Sequence, residues 1–267
     1  MIWKCRDKEI EYGSRTLIMG IVNITPDSFS DGGDNFLPGD AIDTVIKMIM
    51  HGVDIIDLGA QSTRPGYKLI SPEEEWKRLE PVLKQISGKI KMPISVDTFY
   101  PQVAQKAIQS GADIINDVSG IVSPQMAEIV KKTGAGWIIM HNGSGSVEDV
   151  RYFFKRSDAE IKRIGIDKRQ ICFDMGIGFG KTRSQDMELI SNVRKYKIYG
   201  YPLLLACSRK RVIRDGSRQN VPKKRVYGNI AADTAAILGG VDIIRLHDVE
   251  NEKQGIYMAD ALKNALK

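Results

Sequence analysis

Short apolar runs recur along the chain and predict a set of buried β-strands. The runs are continuous rather than alternating, which is typical of parallel strands that are covered on both faces. Eight runs can be recognised: Leu17 to Val22, Ile55 to Leu58, Ile94 to Val96, Ile114 to Ile115, Trp137 to Met140, Ile171 to Phe173, Leu203 to Ala206 and Ile243 to Leu246. Segments with a helical period separate them, so the pattern predicts alternating strands and helices.

The predicted helices carry start and stop signals. They cover Ala41 to Met50, Pro72 to Ile86, Pro101 to Gln109, Pro124 to Lys132, Ser146 to Ile164, Gln185 to Tyr196, Asn229 to Leu238 and Gln254 to Leu266. Ser71 precedes Pro72 and a run of glutamates, as expected for an N-cap and an acidic first turn. Glycines are expected to close several helices in the left-handed C-cap conformation: Gly52, Gly111, Gly134, Gly165 and Gly239.

Eight strand and helix units favour closure into one (β/α)8 TIM barrel domain over residues 1–267. A doubly wound open sheet is the alternative, but its GxGxxG fingerprint is missing after the first run, where the sequence is NITPDSFSDGG. In a barrel, the carboxyl ends of the strands converge on one face, where active sites lie. Polar residues stand at or near most of these ends: Asn23, Asp57, Asp97, Asn116, Asp117, His141, Asp174, Ser208 and Arg245.

The composition is typical of a globular protein with a substantial core, since 42% of the residues are hydrophobic and 27% are charged. No apolar stretch approaches the roughly 18 residues that a membrane span needs. The start of the chain lacks the apolar region of a signal peptide, so we expect a cytoplasmic protein without a membrane partner. Three widely spaced cysteines without a CxxC pair, Cys5, Cys172 and Cys207, are expected to be free, inert thiols.

The net charge of +6 raises the question of a nucleic-acid partner. Basic residues cluster from Arg209 to Arg225, yet no zinc-finger spacing, RNP-like motif or basic heptad accompanies them. We therefore expect a small phosphate or carboxylate ligand near Arg209 and Lys210, which directly follow a strand. Arg214, Arg218 and residues 223–225 are expected to form a solvated basic surface.

Two connections after strands are much longer than the usual length of about 2 to 6 residues. They follow the first two runs, and we expect both to act as lids over the site. After the sixth run, DMGIGFGKT superficially resembles a P-loop, but Gly176 stands one position too close to the GK pair and Met175 occupies the required place. The glycines instead predict a tight turn that lets Phe179 lie over a flat ligand.

Several segments together resemble dihydropteroate synthase, in the order found in that family and over nearly the whole chain. They are NITPDSFSDGG at 23–33, GAQSTRPG at 59–66, ISVDT at 94–98, INDVSG at 115–120, DMGIGFGKT at 174–182, SRK at 208–210 and RLHDV at 245–249. The resemblance implies a (β/α)8 homodimer that is a target of sulfonamides. It also implies condensation of 6-hydroxymethyl-7,8-dihydropterin diphosphate with p-aminobenzoate to 7,8-dihydropteroate and pyrophosphate.

The resemblance also implies roles for particular residues. Asp97, Asn116, Asp174 and Lys210 would form a polar cup for the pterin, with Phe179 beside it. Arg245 and His247 would bind the diphosphate, and Asn23 would bind Mg2+. Thr63, Arg64, Pro65 and Phe29 on the lids would hold diphosphate and p-aminobenzoate. Lys210, Asp97 and Arg64 are the catalytic candidates in a dissociative, SN1-like displacement.

The chain departs from the usual family pattern at four positions: Ala60, Gln61, Met175 and Arg211. Gln61 removes a carboxylate beside the second lid, while Arg211 would either bind the carboxylate of p-aminobenzoate or narrow its pocket. Two alternatives stay open, a methyltetrahydrofolate:corrinoid methyltransferase and a noncatalytic pterin-binding protein. Of the other histidines, His51 is expected to cap a helix, and His141 to support the site or to touch it.

Overall fold

A closed parallel barrel forms the centre of the molecule. The computed structural model describes residues 1–24, 38–61, 68–197 and 200–266. The strands in these ranges are β1 (Ile2–Cys5), β2 (Lys8–Glu11), β3 (Leu17–Asn23), β4 (Ile55–Gly59), β5 (Ile94–Asp97), β6 (Ile114–Asp117), β7 (Gly136–Met140), β8 (Ile171–Asp174), β9 (Leu203–Leu205) and β10 (Ile243–Leu246). Strands β3 to β10 pair in chain order, and β10 closes the barrel by pairing with both β9 and β3. The predicted (β/α)8 barrel is therefore confirmed.

Helices connect the strands and pack around the barrel. They are α1 (Pro38–Met50), α2 (Pro72–Ile86), α3 (Pro101–Gln109), α4 (Pro124–Thr133), α5 (Val147–Ile164), α6 (Arg183–Ser191), α7 (Arg211–Ser217), α8 (Val226–Gly239) and α9 (Val249–Ala265). Helix α7 was not among the predicted helices, because it spans only seven residues and carries no long apolar stripe. Within the described ranges, no helix has the length and apolarity that crossing a membrane requires.

The helix caps follow the sequence signals with one exception. The Ser71 side chain accepts a hydrogen bond from the backbone N–H of Glu74, as an N-cap should. The φ angles of Gly52, Gly111, Gly134 and Gly165 are positive, as predicted. The prediction for Gly239 is wrong, because this residue still belongs to α8 and its neighbour Gly240 takes the left-handed position at φ 99°.

The hairpin β1–β2 precedes the barrel and covers its amino-terminal end. Trp3 is completely buried, and its Nε1 donates a hydrogen bond of 3.0 Å to the carbonyl of Gln170. Lys8 Nζ lies 2.9 Å from Asp113 Oδ2 and forms a salt bridge with it. The hairpin was not predicted, since each strand has four residues and mixes charged with apolar side chains. It leaves the carboxyl end of the barrel as the open face.

The cysteine prediction is confirmed, since all three cysteines are buried and free. Burial raises the pKa of each thiol well above its ordinary value. The single domain over 1–267 stays a prediction.

Candidate active site

The polar cup predicted from the sequence lies at the carboxyl end of the barrel. Asp97 is the last residue of β5 and pairs in register with Asn116 of β6. Asp174 ends β8, and Lys210 is the N-cap residue of α7, just after β9. The Asp97 carboxylate is close enough to interact electrostatically with both Asp174 and Lys210. Four residues from distant parts of the chain therefore share one small volume.

Arg245 forms the charged centre beneath this cup. Its Nε donates a hydrogen bond of 2.6 Å to Asp57 Oδ2, and its Nη2 donates one of 2.8 Å to Asp97 Oδ2. Asn116 Nδ2 also donates to Asp57 Oδ2, at 3.3 Å. Asp57 is fully buried inside β4 rather than at its end, and the sequence analysis placed it only among the polar residues near strand ends, without a particular role. Two guanidinium nitrogens of Arg245, Nε and Nη2, are thus held by carboxylates.

Burial shifts the pKa values of the acids and of the lysine in the cup in opposite directions. It raises the pKa of Asp97 to about 7, although the nearby Arg245 guanidinium opposes this shift. Burial also raises the pKa of Asp174, opposed by Lys210 and by a hydrogen bond from the backbone of Gly176. It lowers the pKa of Lys210, against the attraction of Asp174. Shifts of opposite direction on adjacent acids and bases are typical of catalytic and binding sites.

The turn after β8 places an aromatic ring beside Lys210. Lys210 Nζ donates a hydrogen bond of 2.7 Å to the carbonyl of Ile177 and lies 4.7 Å from the centroid of the Phe179 ring. Gly176 has a φ of 68°, and a Cβ there would come within 1.9 Å of the carbonyl oxygen of His141. The predicted tight turn is therefore present, and Phe179 lies at the rim of the cup.

Lys181 holds this turn in place from below. Its buried Nζ donates hydrogen bonds to the carbonyls of His141, Gly176 and Phe179 at 3.2, 2.9 and 3.2 Å. Burial lowers its pKa to about 8. Because the ammonium faces three backbone carbonyls of the fold, Lys181 stabilises the turn and is not placed like the lysine of a P-loop.

The segment between β9 and α7 brings Ser208 next to His247. Ser208 Oγ lies 3.0 Å from His247 Nδ1. Arg209 follows with a φ of 60°, and its carbonyl accepts a hydrogen bond from the guanidinium of Arg225. The prediction that Arg225 belongs to a solvated surface is wrong, since this side chain is buried and bonded to three carbonyls. Arg225 instead fixes the backbone next to Lys210.

Other predicted residues have more peripheral places. Asn23 ends β3 and pairs in register with Gly59, at the same end of the barrel as the cup. In the part of the chain that the structure describes, no three acidic, histidine or cysteine side chains cluster as metal ligands. Phe29, Thr63, Arg64 and Pro65 lie outside the described residues, so their lid roles stay predictions. His141 is buried, and burial lowers its pKa to about 4.

The four departures from the family pattern leave the cup intact. Ala60 and Met175 are fully buried in the core. Gln61 braces the end of the second long connection, since its amide donates to the carbonyl of Lys68 and accepts from the N–H of Ile70. Arg211 is exposed at the start of α7, and its bulk therefore does not fill the cup. Both outcomes considered for Arg211 stay predictions.

Buried carboxyl groups in and behind the cup predict an unusual dependence of stability on pH. Burial raises the pKa of Asp97 and Asp233 to about 7 and that of Glu75 and Glu252 to about 8. The folded chain holds these protons more tightly than the unfolded chain. Their contribution to the free energy of unfolding is therefore fully present below about pH 4. The free energy of unfolding should then fall as the pH rises from about 5 to 8, by up to about 1.4 kcal/mol per pH unit for each proton released.

Urea unfolding at several pH values between about 5 and 8.5 measures this dependence. Asp233→Asn should flatten the slope, because it removes one of the buried protons. Glu128→Gln is the control, since Glu128 is exposed and its salt bridge with Lys132 lowers its pKa. A free energy of unfolding that stays level or increases over this range would contradict the prediction.

The chain is similar to several known proteins. The family profile described as pterin binding enzyme matches residues 19–247. A dihydropteroate synthase from Clostridium beijerinckii is 39% identical over 97% of this chain and 98% of that protein. The crystal structure of dihydropteroate synthase from Clostridium difficile, in the presence of pteroic acid, superposes with a TM-score of 0.89 at 42% identity, covering 95% and 98% of the two chains. The enzyme from Xanthomonas albilineans with 4-aminobenzoic acid gives a TM-score of 0.92 at 32% identity, covering 98% and 99%.

Proposed function

This chain belongs to the dihydropteroate synthase family of pterin-binding enzymes, and from that premise we infer that it joins p-aminobenzoate to 6-hydroxymethyl-7,8-dihydropterin diphosphate in folate biosynthesis. It is a transferase whose products are 7,8-dihydropteroate and pyrophosphate. The observation that carries this function is the meeting of Asp97, Asn116, Asp174 and Lys210 at the open end of the barrel.

We propose that the buried acids and amides of the cup recognise the pterin edge. An aminopyrimidinone presents adjacent N–H donors, and the Asp174 carboxylate can accept two of them in parallel with charge assistance. Asn116 Oδ1 and Asp57 Oδ1 are buried and have no hydrogen-bond partner among the described residues. A buried acceptor without a partner costs about 1 to 3 kcal/mol, so a ligand donor at this place would be favoured.

Lys210 and Phe179 would complete pterin binding from the other side. The ammonium of Lys210 can donate to the ring carbonyl and to N5, and the Phe179 ring beside it offers a surface for stacking. Since Lys210 follows β9 and Phe179 follows β8, the two side chains approach the cup from adjacent units of the barrel.

The chemistry needs charge stabilisation more than a protein nucleophile. When the bond between the methylene carbon and the diphosphate oxygen breaks, the electron pair leaves with the oxygen, and the electron-rich pterin delocalises the positive charge. The arylamine lone pair then forms the new C–N bond, and the nitrogen loses a proton. The Arg245 guanidinium would stabilise the charge of the departing diphosphate and His247 would donate a hydrogen bond to it, while the cup holds the reacting carbon in place.

We propose Asn23 as the protein ligand of Mg2+. An amide oxygen is a suitable donor for this ion, and Asn23 lies at the same end of the barrel as the cup. One neutral oxygen binds magnesium weakly, so most of the other donors would be diphosphate oxygens and water. The ion would supply positive charge at the leaving group.

Some further properties remain proposals. The lid residues Thr63, Arg64, Pro65 and Phe29 would hold diphosphate and p-aminobenzoate above the cup. A homodimer is consistent with exposed apolar side chains on α6 and α8, Met187 and Tyr227, and light scattering of the purified protein measures the oligomeric state. A cytoplasmic location is likewise proposed.

A condensation assay tests the proposed function. With dihydropterin diphosphate, p-aminobenzoate and Mg2+, pyrophosphate and dihydropteroate should appear in equal amounts, and removing the metal with EDTA should slow both. Omitting p-aminobenzoate is the control for simple hydrolysis. Pterin binding without pyrophosphate release would indicate a noncatalytic pterin-binding protein. Methyl transfer from methyltetrahydrofolate to a corrinoid would indicate a methyltransferase.

A further inference from the structure

A buried chain of hydrogen bonds runs behind His247 into the helical layer. Ser208, in the segment between β9 and α7, is 4% exposed, and Asn229 and Glu252, on α8 and α9, are 1% and 0% exposed. Ser208 Oγ lies 3.0 Å from His247 Nδ1 and accepts from the backbone N–H of His247 at 3.3 Å. None of these helical residues was singled out by the sequence analysis.

The orientation of the Asn229 amide is fixed by its neighbours. Its Oδ1 accepts a hydrogen bond of 3.2 Å from the backbone N–H of Arg209, which can only donate. The Nδ2 group must therefore point the other way, where it donates to Glu252 Oε1 at 3.0 Å and to Ser208 Oγ at 3.5 Å. Asn229 consequently presents a donor, not an acceptor, to Ser208.

The Ser208 hydroxyl has two lone pairs and one proton to distribute. Both lone pairs are used, one by the backbone N–H of His247 and the other by the amide of Asn229. Only the hydroxyl proton remains for His247 Nδ1, which must then be an acceptor. We propose that Asn229 and Ser208 are positioning residues that fix His247 in the neutral tautomer whose proton is on Nε2.

This tautomer suits the proposed reaction. The Nδ1 atom is turned towards Ser208, so Nε2 lies on the opposite side of the imidazole ring. An Nε2–H donates to an anionic oxygen, whereas the other tautomer would present a lone pair to it. The role in binding diphosphate rests on the proposed function, but the tautomer itself follows from the protein's own hydrogen bonds.

Nitrogen NMR measures the tautomer without any substrate. The chain contains three histidines, so long-range 1H–15N spectra of 15N-histidine protein give few signals, and His247→Gln assigns those of His247. At a pH where the ring is neutral, we expect an Nδ1 resonance of the unprotonated type and an Nε2 resonance of the protonated type. A protonated Nδ1 would overturn the proposal.

An exchange of donor and acceptor provides the sharpest test. The double variant Asn229→Asp with Glu252→Gln keeps one amide and one carboxylate in the same place but reverses their order. The new carboxylate at position 229 still accepts from Arg209 but now also accepts the Ser208 proton. Ser208 must then accept from the ring, so the His247 signals should show a proton on Nδ1; unchanged signals would overturn the proposal.

A second variant does not depend on the folding of the double variant. Ser208→Ala removes the donor to Nδ1, and both tautomers should then contribute to the His247 signals. Ser157→Ala is the matched control, because Ser157 is also buried but lies on α5. It should leave the His247 spectrum as in the natural protein. A spectrum of Ser208→Ala that still shows the single Nε2–H tautomer would also overturn the proposal.

Kinetics separate this proposal from the proposed function. If both hold, Ser208→Ala should lower kcat about 2- to 5-fold with little change in pterin affinity, because only part of the His247 rings then carry the Nε2 proton that is donated to the leaving group. If the natural protein shows the Nε2–H tautomer but makes no dihydropteroate, the proposed function fails and the tautomer assignment stands. If it makes dihydropteroate with Nδ1 protonated, the tautomer assignment fails alone.

Discussion

Asp174→Asn should lower kcat/KM for the pterin diphosphate by about 100- to 10,000-fold. In the natural protein, the N–H of Gly176 donates a hydrogen bond of 2.8 Å to Asp174 Oδ1. The substitution keeps an oxygen that can accept this bond, so the turn after β8 should survive. It replaces the second carboxylate oxygen by an N–H donor that opposes a donor of the pterin. Two charge-assisted hydrogen bonds of about 1.5 to 3 kcal/mol each are lost, which gives the range stated.

Asp186→Asn is the matched control for this prediction. Asp186 is also fully buried and also accepts a backbone hydrogen bond from the same turn, at Gly178, but it lies on α6. Initial rates at varied pterin diphosphate measure kcat/KM, and calorimetry measures pterin affinity. If Asp174→Asn retained more than about a tenth of the natural kcat/KM, Asp174 would not be the principal pterin acceptor.

Arg245→Met should destabilise the folded protein by about 3 to 5 kcal/mol near pH 8, because it leaves two carboxylates at the barrel centre without their cation. Asp57 is fully buried, and Asp97 is also largely enclosed, so neither carboxylate can be well solvated. Burial already raises the pKa of Asp97, and losing Arg245 should raise it further. The destabilisation should therefore shrink as the pH falls towards 5 and Asp97 takes up a proton.

Urea unfolding at about pH 5 and pH 8 measures both parts of this prediction. Arg15→Met is the control, because Arg15 pairs with Asp54 at an exposed position, 2.5 Å apart, and should cost about 1 kcal/mol or less. Adding Asp57→Asn to Arg245→Met should recover part of the lost stability near pH 8. Equal losses for Arg15→Met and Arg245→Met would show that the buried ion pairs have no special energetic role.

The barrel was predictable because most of its strands and helices have clear local sequence patterns. Continuous apolar runs identified all eight barrel strands, and the Ser71–Pro72 and Gly134 signals marked helix ends that the structure also shows. Helix α7 and the hairpin β1–β2 were missed, because short elements gain most of their stability from contacts with distant residues. Such contacts leave little trace in the local pattern.

The site was predictable where a residue follows a strand, and unpredictable where its partners lie far along the chain. Strand ends indicated Asp97, Asn116 and Asp174, since all barrel strands end on one face, and the resemblance to the family added Lys210 and implied one shared cup. The bond between Arg245 and Asp57 joins residues 188 positions apart, so the sequence could suggest a free cation but not its buried partner. The order of residues along the strands therefore revealed the members of the site but not their pairing.

The hairpin at the closed end of the barrel separates residues that stabilise the fold from residues of the proposed binding site. Its anchors, Trp3 and the Lys8–Asp113 pair, lie at the end opposite to the cup. Substitutions there should shift the melting temperature while leaving substrate affinity nearly unchanged, because no hairpin side chain belongs to the cup. Engineering for heat resistance could thus begin at the β1–β2 hairpin without the usual loss of activity.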